Sequence, residues 1–368
     1  MASQFNAKLL LLARQARGLN QLELSERTGI DQGLLSKIEN GLREPKAEVI
    51  KRLSDELGFP QTFFHQSDRI YGLPVSVHAS HRKKCSVGIR QLDYIHAELN
   101  IRLWNLKKLL QSVELTPKMP IPHFDIDEYK GDVEQVATLV RRFWLLPRGP
   151  IENLTDCLER AGCVIFWCDF PNIAIDGITI ATIPEMPVCI FLNKDRPADR
   201  MRFTLAHELG HIVMHRIPHP EMEEQANHFA AAFLMPYFDI KEQFGMIGNR
   251  ITLEKLAYLK PIWRVAMQAL LMRAKDTGII SKNQSDYLWK QISIAKIRLQ
   301  EPPELDFPHE EPKTLKTVLK LHFEELGYTI SELAEALYLH ESEFRKKYDI
   351  DKSPPRRKHL RVLYDNSQ

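Results

Sequence analysis

Residues 203–215, FTLAHELGHIVMH, restrict the fold of this chain more than any other stretch, because three histidines fall at four-residue intervals along one predicted helix. His207 and His211 are one turn apart and project from one face, about 40° from each other, so both imidazoles can reach one ion. Glu208 points to the same side, where it can hold a water. This His-Glu-x-x-His arrangement predicts a zinc site with a neighbouring general base.

The alternative interpretation is a solvated helix face that is rich in histidine and holds no metal. The opposite face argues against it, because a coherent apolar stripe there leaves the polar face toward a cleft or solvent. The stripe consists of Phe203, Leu205, Leu209, Ile212 and Val213. A catalytic zinc needs three protein ligands. His215 lies eight residues from His207, about 12 Å along the helix axis, which is too far for it to be the third ligand.

The third ligand is expected from the next predicted helix, which begins EMEEQANHFAAAFLMP at position 221. Glu223 shares a helix face with two alanines that would allow close packing against Gly210, so it is the predicted ligand. Glu224 is rotated about 100° away from it. Glu221 and Glu224 are better explained as acidic residues that stabilise a helix N-terminus.

Length and composition limit the remaining possibilities. A chain of 368 residues predicts two or three domains. Its net charge of +2 requires any nucleic-acid binding to come from a local patch. Five cysteines without a CxxC pair favour a reducing compartment. No stretch approaches the roughly 20 apolar residues of a membrane span, so we expect a cytoplasmic protein that does not contact the membrane.

Helical periodicity and breaks divide the chain into four parts and predict a mainly α multidomain protein. Residues 1–68 contain four or five short helices, several of which end at a glycine. A helical connector and a Pro-rich linker fill 69–128. Residues 129–300 combine helices with three short apolar runs, CVIFWCDF, ITIATIP and PVCIFLN, which predict a small β-sheet. Residues 301–368 form an acidic Pro-rich linker, a helical segment and a basic tail.

The segments RFTLAHELGHIVMH and EEQANHFAAAFLMP together resemble the ImmA/IrrE metallopeptidases, and the likeness extends from about residue 130 to 300. The resemblance implies an α+β zincin-like domain that holds Zn²⁺ through His207, His211 and Glu223, with Glu208 as the general base. No oxyanion-stabilising residue can be fixed. Tyr237 and His228 are candidates, although packing at a helix end is the better explanation of both.

The N-terminal helices resemble the helix-turn-helix domains of lambda-type (XRE) repressors, through ARGLNQLELSERTGIDQGLLSKIENGLREP at residues 16–45. The resemblance implies a five-helix bundle with a recognition helix in the major groove. The residues implied to face the bases are Asp31, Gln32, Gly33, Ser36 and Lys37. Those implied to hold phosphates are Asn20, Gln21, Asn40 and Arg43. The alternative is a bundle that docks a protein.

Charge sets a limit on the DNA-binding interpretation. Residues 1–69 contain ten Lys/Arg and nine Asp/Glu, which gives a net charge of only +1. Non-specific affinity should therefore be weak, and we expect a homodimer that doubles the contacts with a double-stranded operator or promoter. The C-terminal segment GYTISELAEALYLHESEFRKKYDI has similar spacing, with Ser331 as the expected cap and Leu339 at the turn. A second DNA-binding unit, a lid and a dimerisation element all fit this pattern.

Two functions fit these features. The first is a transcriptional regulator whose zinc endopeptidase domain cleaves a partner regulatory protein, such as a repressor, in a stress, mobile-element or defence circuit. The second is a non-proteolytic transcription factor whose peptidase-like domain senses a ligand or a partner. The intact HELGH sequence favours the first function, because a sensor has no need of Glu208.

Overall fold

A computed structural model describes residues 4–72, 88–170, 175–181, 183–246, 248 and 250–350. The described chain is mainly helical, with sixteen α-helices and one three-stranded sheet, as the sequence predicted. It divides into two compact units. The first contains the described parts of 4–72, 88–114 and 315–350, and the second those of 115–314. None of the described helices is long and apolar enough to cross a membrane.

The N-terminal part of the first unit is a five-segment helical bundle. It consists of α1 (Ala7–Ala16), α2 (Gln21–Thr28), α3 (Gln32–Glu39), α4 (Ala47–Leu57) and a 3-10 turn (Gln61–His65). Gly29 ends α2 in the left-handed region with φ 65°, a conformation that strains residues with a Cβ. Ile30, which follows it, is buried as predicted. The α2–turn–α3 geometry is therefore that of a helix-turn-helix.

Four further helices complete the first unit: α5 (Ile89–Leu109), α14 (Thr314–Glu324), α15 (Ile330–Ala336) and α16 (Glu341–Tyr348). Lys347 of α16 donates to Glu98 of α5 at 2.7 Å. The Asn105 amide and the Tyr348 hydroxyl are hydrogen-bonded at 3.0 Å. These contacts place α16 beside α5 in the first unit, whereas the sequence predicts the C-terminal helices as a separate segment. The basic tail after residue 350 lies outside the described residues.

The segment α15–α16 repeats the geometry of α2–α3. Tyr338 has φ 54° three residues before α16 begins, as Gly29 does before α3. Buried Leu339 follows Tyr338 at the turn, as predicted. The prediction that Ser331 caps this helix was wrong. Thr329 caps α15, because its side-chain oxygen accepts from the Glu332 backbone N–H at 3.2 Å. The second helix-turn-helix shape that the spacing indicated is present.

The second unit surrounds a three-stranded sheet of order β1-β3-β2. β1 (Val164–Cys168) is parallel to β3 (Cys189–Asn193), and β2 (Gly177–Ile180) is antiparallel to it. All three strands match predicted runs. Eight helices accompany them: α6 (Val133–Phe143), α7 (Leu154–Arg160), α8 (Ala198–Met214), α9 (Met222–Leu234), α10 (Tyr237–Met246), α11 (Leu253–Trp263), α12 (Met267–Asp276) and α13 (Lys282–Ile294).

Helices α8 and α9 approach each other closely at the predicted glycine. A Cβ on Gly210 would lie 3.0 Å from a ring carbon of Phe229, so this position of α8 has no room for a larger side chain. The close partner is the Phe229 ring, whereas the sequence pointed to the alanines of α9. Leu205, Leu209 and Val213 of the predicted apolar stripe are buried beneath this contact. The two helices are thereby held in a fixed register.

The two Pro-rich segments, which the sequence predicts as linkers, make contacts within the second unit. In the first, the Phe124 backbone N–H donates to Val213 at 3.0 Å. In the second, Glu301 accepts from the buried Lys260 ammonium at 2.9 Å. Glu310 further along pairs with Arg202, which is also buried. Proline content showed that these segments leave regular structure, but not that their acidic side chains have buried cationic partners.

Candidate metal centre and DNA-binding face

The two histidines of the HELGH sequence face each other on α8. Their Nε2 atoms lie 3.0 Å apart, and their rings are nearly perpendicular. His211 is buried, with 8% of its surface exposed. Burial, with smaller contributions from neighbouring histidines, lowers the pKa of His211 to about 2, so its imidazole is neutral. A neutral imidazole is the form that can bind a metal through a ring nitrogen lone pair.

Glu223 of α9 completes a three-residue group. Its Oε1 lies 3.5 Å from His211 Nε2, and its Oε2 lies 3.8 Å from His207 Nε2. One potential ligand atom from each of the three residues lies within 4.8 Å of the others. Glu224 is exposed, and Glu221 is the residue before α9. Among the glutamates that open this helix, the structure brings the predicted one to the histidines.

The donor set fits zinc in a catalytic coordination. Two imidazole nitrogens and one carboxylate leave one position of a tetrahedron open. The Oε2 atom of Glu208 gives an independent observation. It is buried and has no hydrogen-bond partner within the described part of the chain. A buried carboxylate oxygen without a partner is costly. A metal and its water next to the three ligands would supply the missing polar surroundings.

Glu208 has the electrostatic character of a proton-transfer group. Burial raises its pKa to about 7, the Glu223 charge adds to the rise, and the Thr179 side chain on β2 opposes it. Only 6% of its surface is exposed. A carboxyl with a pKa near the ambient pH can both accept and return a proton.

Further side chains, one on α9 and one at the residue that ends α8, contact the two histidine rings. Asn227 Oδ1 lies 3.0 Å from His207 Nδ1, and its amide donates to the Glu223 carbonyl at 2.8 Å. His215 Nδ1 lies 2.9 Å from His211 Nδ1. The sequence excludes His215 as a ligand and indicates no other role for it, and it indicates no role for Asn227. Each lies one turn from a ligand, a spacing that could have indicated both.

The two candidate oxyanion residues contact other groups. His228 lies 3.1 Å from Glu134 of α6. Glu134 also pairs with the buried Arg273, and both partners hold the pKa of Glu134 down at about 2. The Tyr237 hydroxyl accepts from Lys241 at 3.1 Å. These contacts support the packing interpretation of both residues.

In the first unit, most of the predicted DNA-contacting residues lie exposed on or near α3. The exposed group is Asn20, Asp31, Gln32, Gly33, Lys37, Asn40 and Arg43. Gln21 and Ser36 are partly buried. The side chains of Asn20 and Asp31 also cap α2 and α3, so their oxygens already accept backbone N–H groups.

A chain of hydrogen bonds fixes Gln32 at the start of α3. Gln32 Nε2 donates to Gln21 Oε1 at 2.8 Å, and Gln21 Nε2 donates to Glu39 Oε2 at 2.7 Å. Arg14 of α1 closes the chain with a bidentate ion pair to Glu39. The recognition helix thus presents an amide that its neighbours have already oriented.

Comparison with known families assigns both regions. Residues 10–60 match the helix-turn-helix family, and residues 158–275 match the IrrE N-terminal-like domain of peptidases. The chain is a fusion of these two domains. The IrrE-like match includes the HELGH sequence and Glu223, and the helix-turn-helix match includes every predicted DNA-contacting residue. A search of curated proteins found no match to the chain. The protein is therefore a DNA-binding regulator with a metallopeptidase-like domain.

Proposed function

We propose that the IrrE-like domain is a zinc-dependent endopeptidase that cleaves a partner regulatory protein, and that the helix-turn-helix domain brings it to an operator or promoter. The observation that carries the proposal is the group of His207, His211 and Glu223 beside the buried Glu208 carboxyl. A purely structural metal site closes its coordination with protein ligands and needs no such base.

The residues of the chain would divide the reaction between them. His207, His211 and Glu223 would hold the zinc, which when bound supplies a Lewis acid that polarises the scissile carbonyl and activates water. Glu208 would accept the proton of the attacking water and deliver it to the leaving nitrogen. In the metal-free site burial raises the pKa of Glu208 to about 7, and a nearby zinc ion would lower it and favour the ionised form that accepts a proton.

The outer strand β2 would align an extended peptide with these groups. β2 lies at one end of the described sheet, with β3 as its only strand neighbour there. The Thr179 side chain on β2 lowers the pKa of the Glu208 carboxyl, so β2 lies close to that carboxyl. A peptide that added a strand to β2 would run next to the general base, and its main chain would supply most of the binding. The substrate class is therefore an extended segment of a protein.

The DNA-binding half of the proposal concerns α3 and the residues that lie beside it. Gln32 and Lys37 would contact base edges, while Gln21, Asn40 and Arg43 would contact phosphates. The small positive charge of residues 1–69 supports a homodimer on a palindromic site, because one copy makes few phosphate contacts. The protein would act in the cytoplasm.

The test is cleavage by the purified, zinc-loaded protein of regulators encoded beside it. Fragments that form with zinc and disappear with a chelator are expected. If several candidate regulators remain intact under conditions in which zinc is bound stoichiometrically, the alternative function, a peptidase-like sensor, is the better description.

A further inference from the structure

We propose that His215 is a positioning residue for the metal ligand His211, and that Gln225 orients it. The inference rests on the proposed metal centre and assigns two residues to which that centre gives no role. His211 Nδ1 and His215 Nδ1 are 2.9 Å apart, and His215 Nε2 is 3.0 Å from Gln225 Oε1. Gln225, His215 and His211 thus form one continuous hydrogen-bonded relay, from the amide on α9 to the metal-facing ring on α8.

Metal binding determines which ring nitrogen carries the hydrogen atom at each step of this relay. When His211 binds through Nε2, its remaining hydrogen is on Nδ1, so Nδ1 donates to His215 Nδ1. The hydrogen of His215 is then on Nε2, which donates to the Gln225 oxygen. Each donor meets an acceptor, and only one neutral tautomer of each ring satisfies the chain. Gln225 therefore selects the tautomer in which His211 presents a lone pair to the ion.

His207, the other histidine of the proposed metal centre, is oriented by one hydrogen-bond partner instead of two in series. His207 Nδ1 lies 3.0 Å from Asn227 Oδ1, so an amide oxygen from α9 fixes this ring directly. Glu223, Gln225 and Asn227 alternate along α9, and they supply a ligand and the outer partner of each histidine. One rigid helix thus sets the geometry of all three metal-binding side chains. Outer hydrogen bonds of this kind orient ligand rings and raise their basicity.

The geometry excludes the simpler role of His215 as a ligand. Both of its ring nitrogens are engaged, one by His211 and one by Gln225. The next histidine, His219, has its ring 5.0 Å from that of His215. Its buried Nε2 has no hydrogen-bond partner in the described ranges, so the relay does not continue through that atom. His219 is therefore a matched control, since it offers a similar ring without a place in the relay.

The experiment compares His215→Phe with His219→Phe in the full-length protein. Zinc affinity is measured by competition with a chelator, and the site geometry by the visible spectrum of the Co²⁺-loaded protein. We expect His215→Phe to weaken zinc binding by about tenfold to a hundredfold and to change the Co²⁺ spectrum. His219→Phe should change neither. Thermal unfolding of the metal-free variants checks that both fold.

Conservative substitutions separate positioning from packing. Gln225→Leu should weaken zinc binding in the same direction, whereas Gln225→Glu should retain it, because a carboxylate also accepts from His215. His215→Gln should recover part of the affinity, since its amide oxygen can accept from His211. If His215→Phe and His219→Phe bind zinc equally and give one Co²⁺ spectrum, the relay is wrong.

The same zinc-binding measurements distinguish a failure of the proposed metal centre from a failure of the relay. Wild-type zinc binding that survives His207→Ala would overturn the centre itself. Zinc binding that depends on His207 and His215 but accompanies no cleavage would overturn the peptidase and leave the relay supported.

Discussion

The candidate metal centre and the candidate DNA-binding face are built in a similar way in opposite surroundings. In each, a hydrogen bond from a neighbouring helix orients a side chain that we propose meets the target: Asn227 contacts His207, and Gln21 contacts Gln32. The metal centre is nearly closed, with 6% of Glu208 and 8% of His211 exposed, whereas Gln32 and Lys37 are exposed. A buried site depends on each of its members, because no water replaces a missing partner. An exposed face loses affinity in separate increments.

The largest effect should come from the buried site. Glu223→Ala should remove stoichiometric zinc binding, a loss greater than the roughly hundredfold effect of outer partners, because it deletes one of three ligands. Glu224→Ala is the matched control on the same helix and should retain the metal. Elemental analysis of the dialysed proteins measures both. Loss of zinc from the Glu224 variant alone would show that the third ligand has been misassigned.

The next largest effect should be on the cleavage rate and not on zinc binding. Glu208→Gln removes the proton acceptor but no ligand, so the fold and zinc content should be retained while the cleavage rate falls by about a hundredfold to ten-thousandfold. Single-turnover rates on a cleaved regulator, with zinc analysis of the same samples, provide the measurement. Cleavage at the wild-type rate would contradict the assignment of Glu208 as the base.

Smaller, additive effects should mark the DNA-binding face. Gln32→Ala and Lys37→Ala should each weaken specific binding by roughly 1–3 kcal/mol, because each removes a side chain that would read a base edge. The measurement is a binding titration on an operator at fixed salt. Full-length protein that bound no upstream sequence even at low salt would support the protein-docking alternative.

The smallest effect is expected in the C-terminal repeat of the motif. Lys346 corresponds to Lys37 when α16 is aligned with α3 at the turn. The repeat carries acidic Glu335 and Glu341 on its exposed surface, which oppose a phosphate backbone. Lys346→Ala should therefore leave operator affinity unchanged. A reduction equal to that of Lys37→Ala would show that both motifs bind DNA.

Local signals were sufficient for much of the fold and the site. The glycine at position 29 and the spacing of the HELGH histidines depend on residues close in sequence, and the structure agrees with both. Glu223 could be chosen because helical geometry separates it from Glu224. These features follow from the periodicity of one or two helices.

Long-range partners could not be predicted. Lys347 pairs with Glu98 across 249 positions, and Arg202 pairs with Glu310 across 108. Periodicity indicates which face of a helix is buried, but not what covers it. For this reason the sequence did not indicate which distant residues pair with the C-terminal helices and the Pro-rich segments. The distance of His215 from His207 along the helix excludes it as a ligand, but the sequence does not show that its ring reaches His211.

We propose that the buried centre cuts a protein while the exposed face holds DNA. The sharpest test compares cells that carry the wild-type protein with cells that carry Glu208→Gln, under inducing conditions, by mass spectrometry of new protein N-termini. We expect a fragment of a second regulator that is present in the wild type and absent in the variant, with operator occupancy retained in both. Identical sets of N-termini in the two strains would contradict the peptidase and favour the sensor.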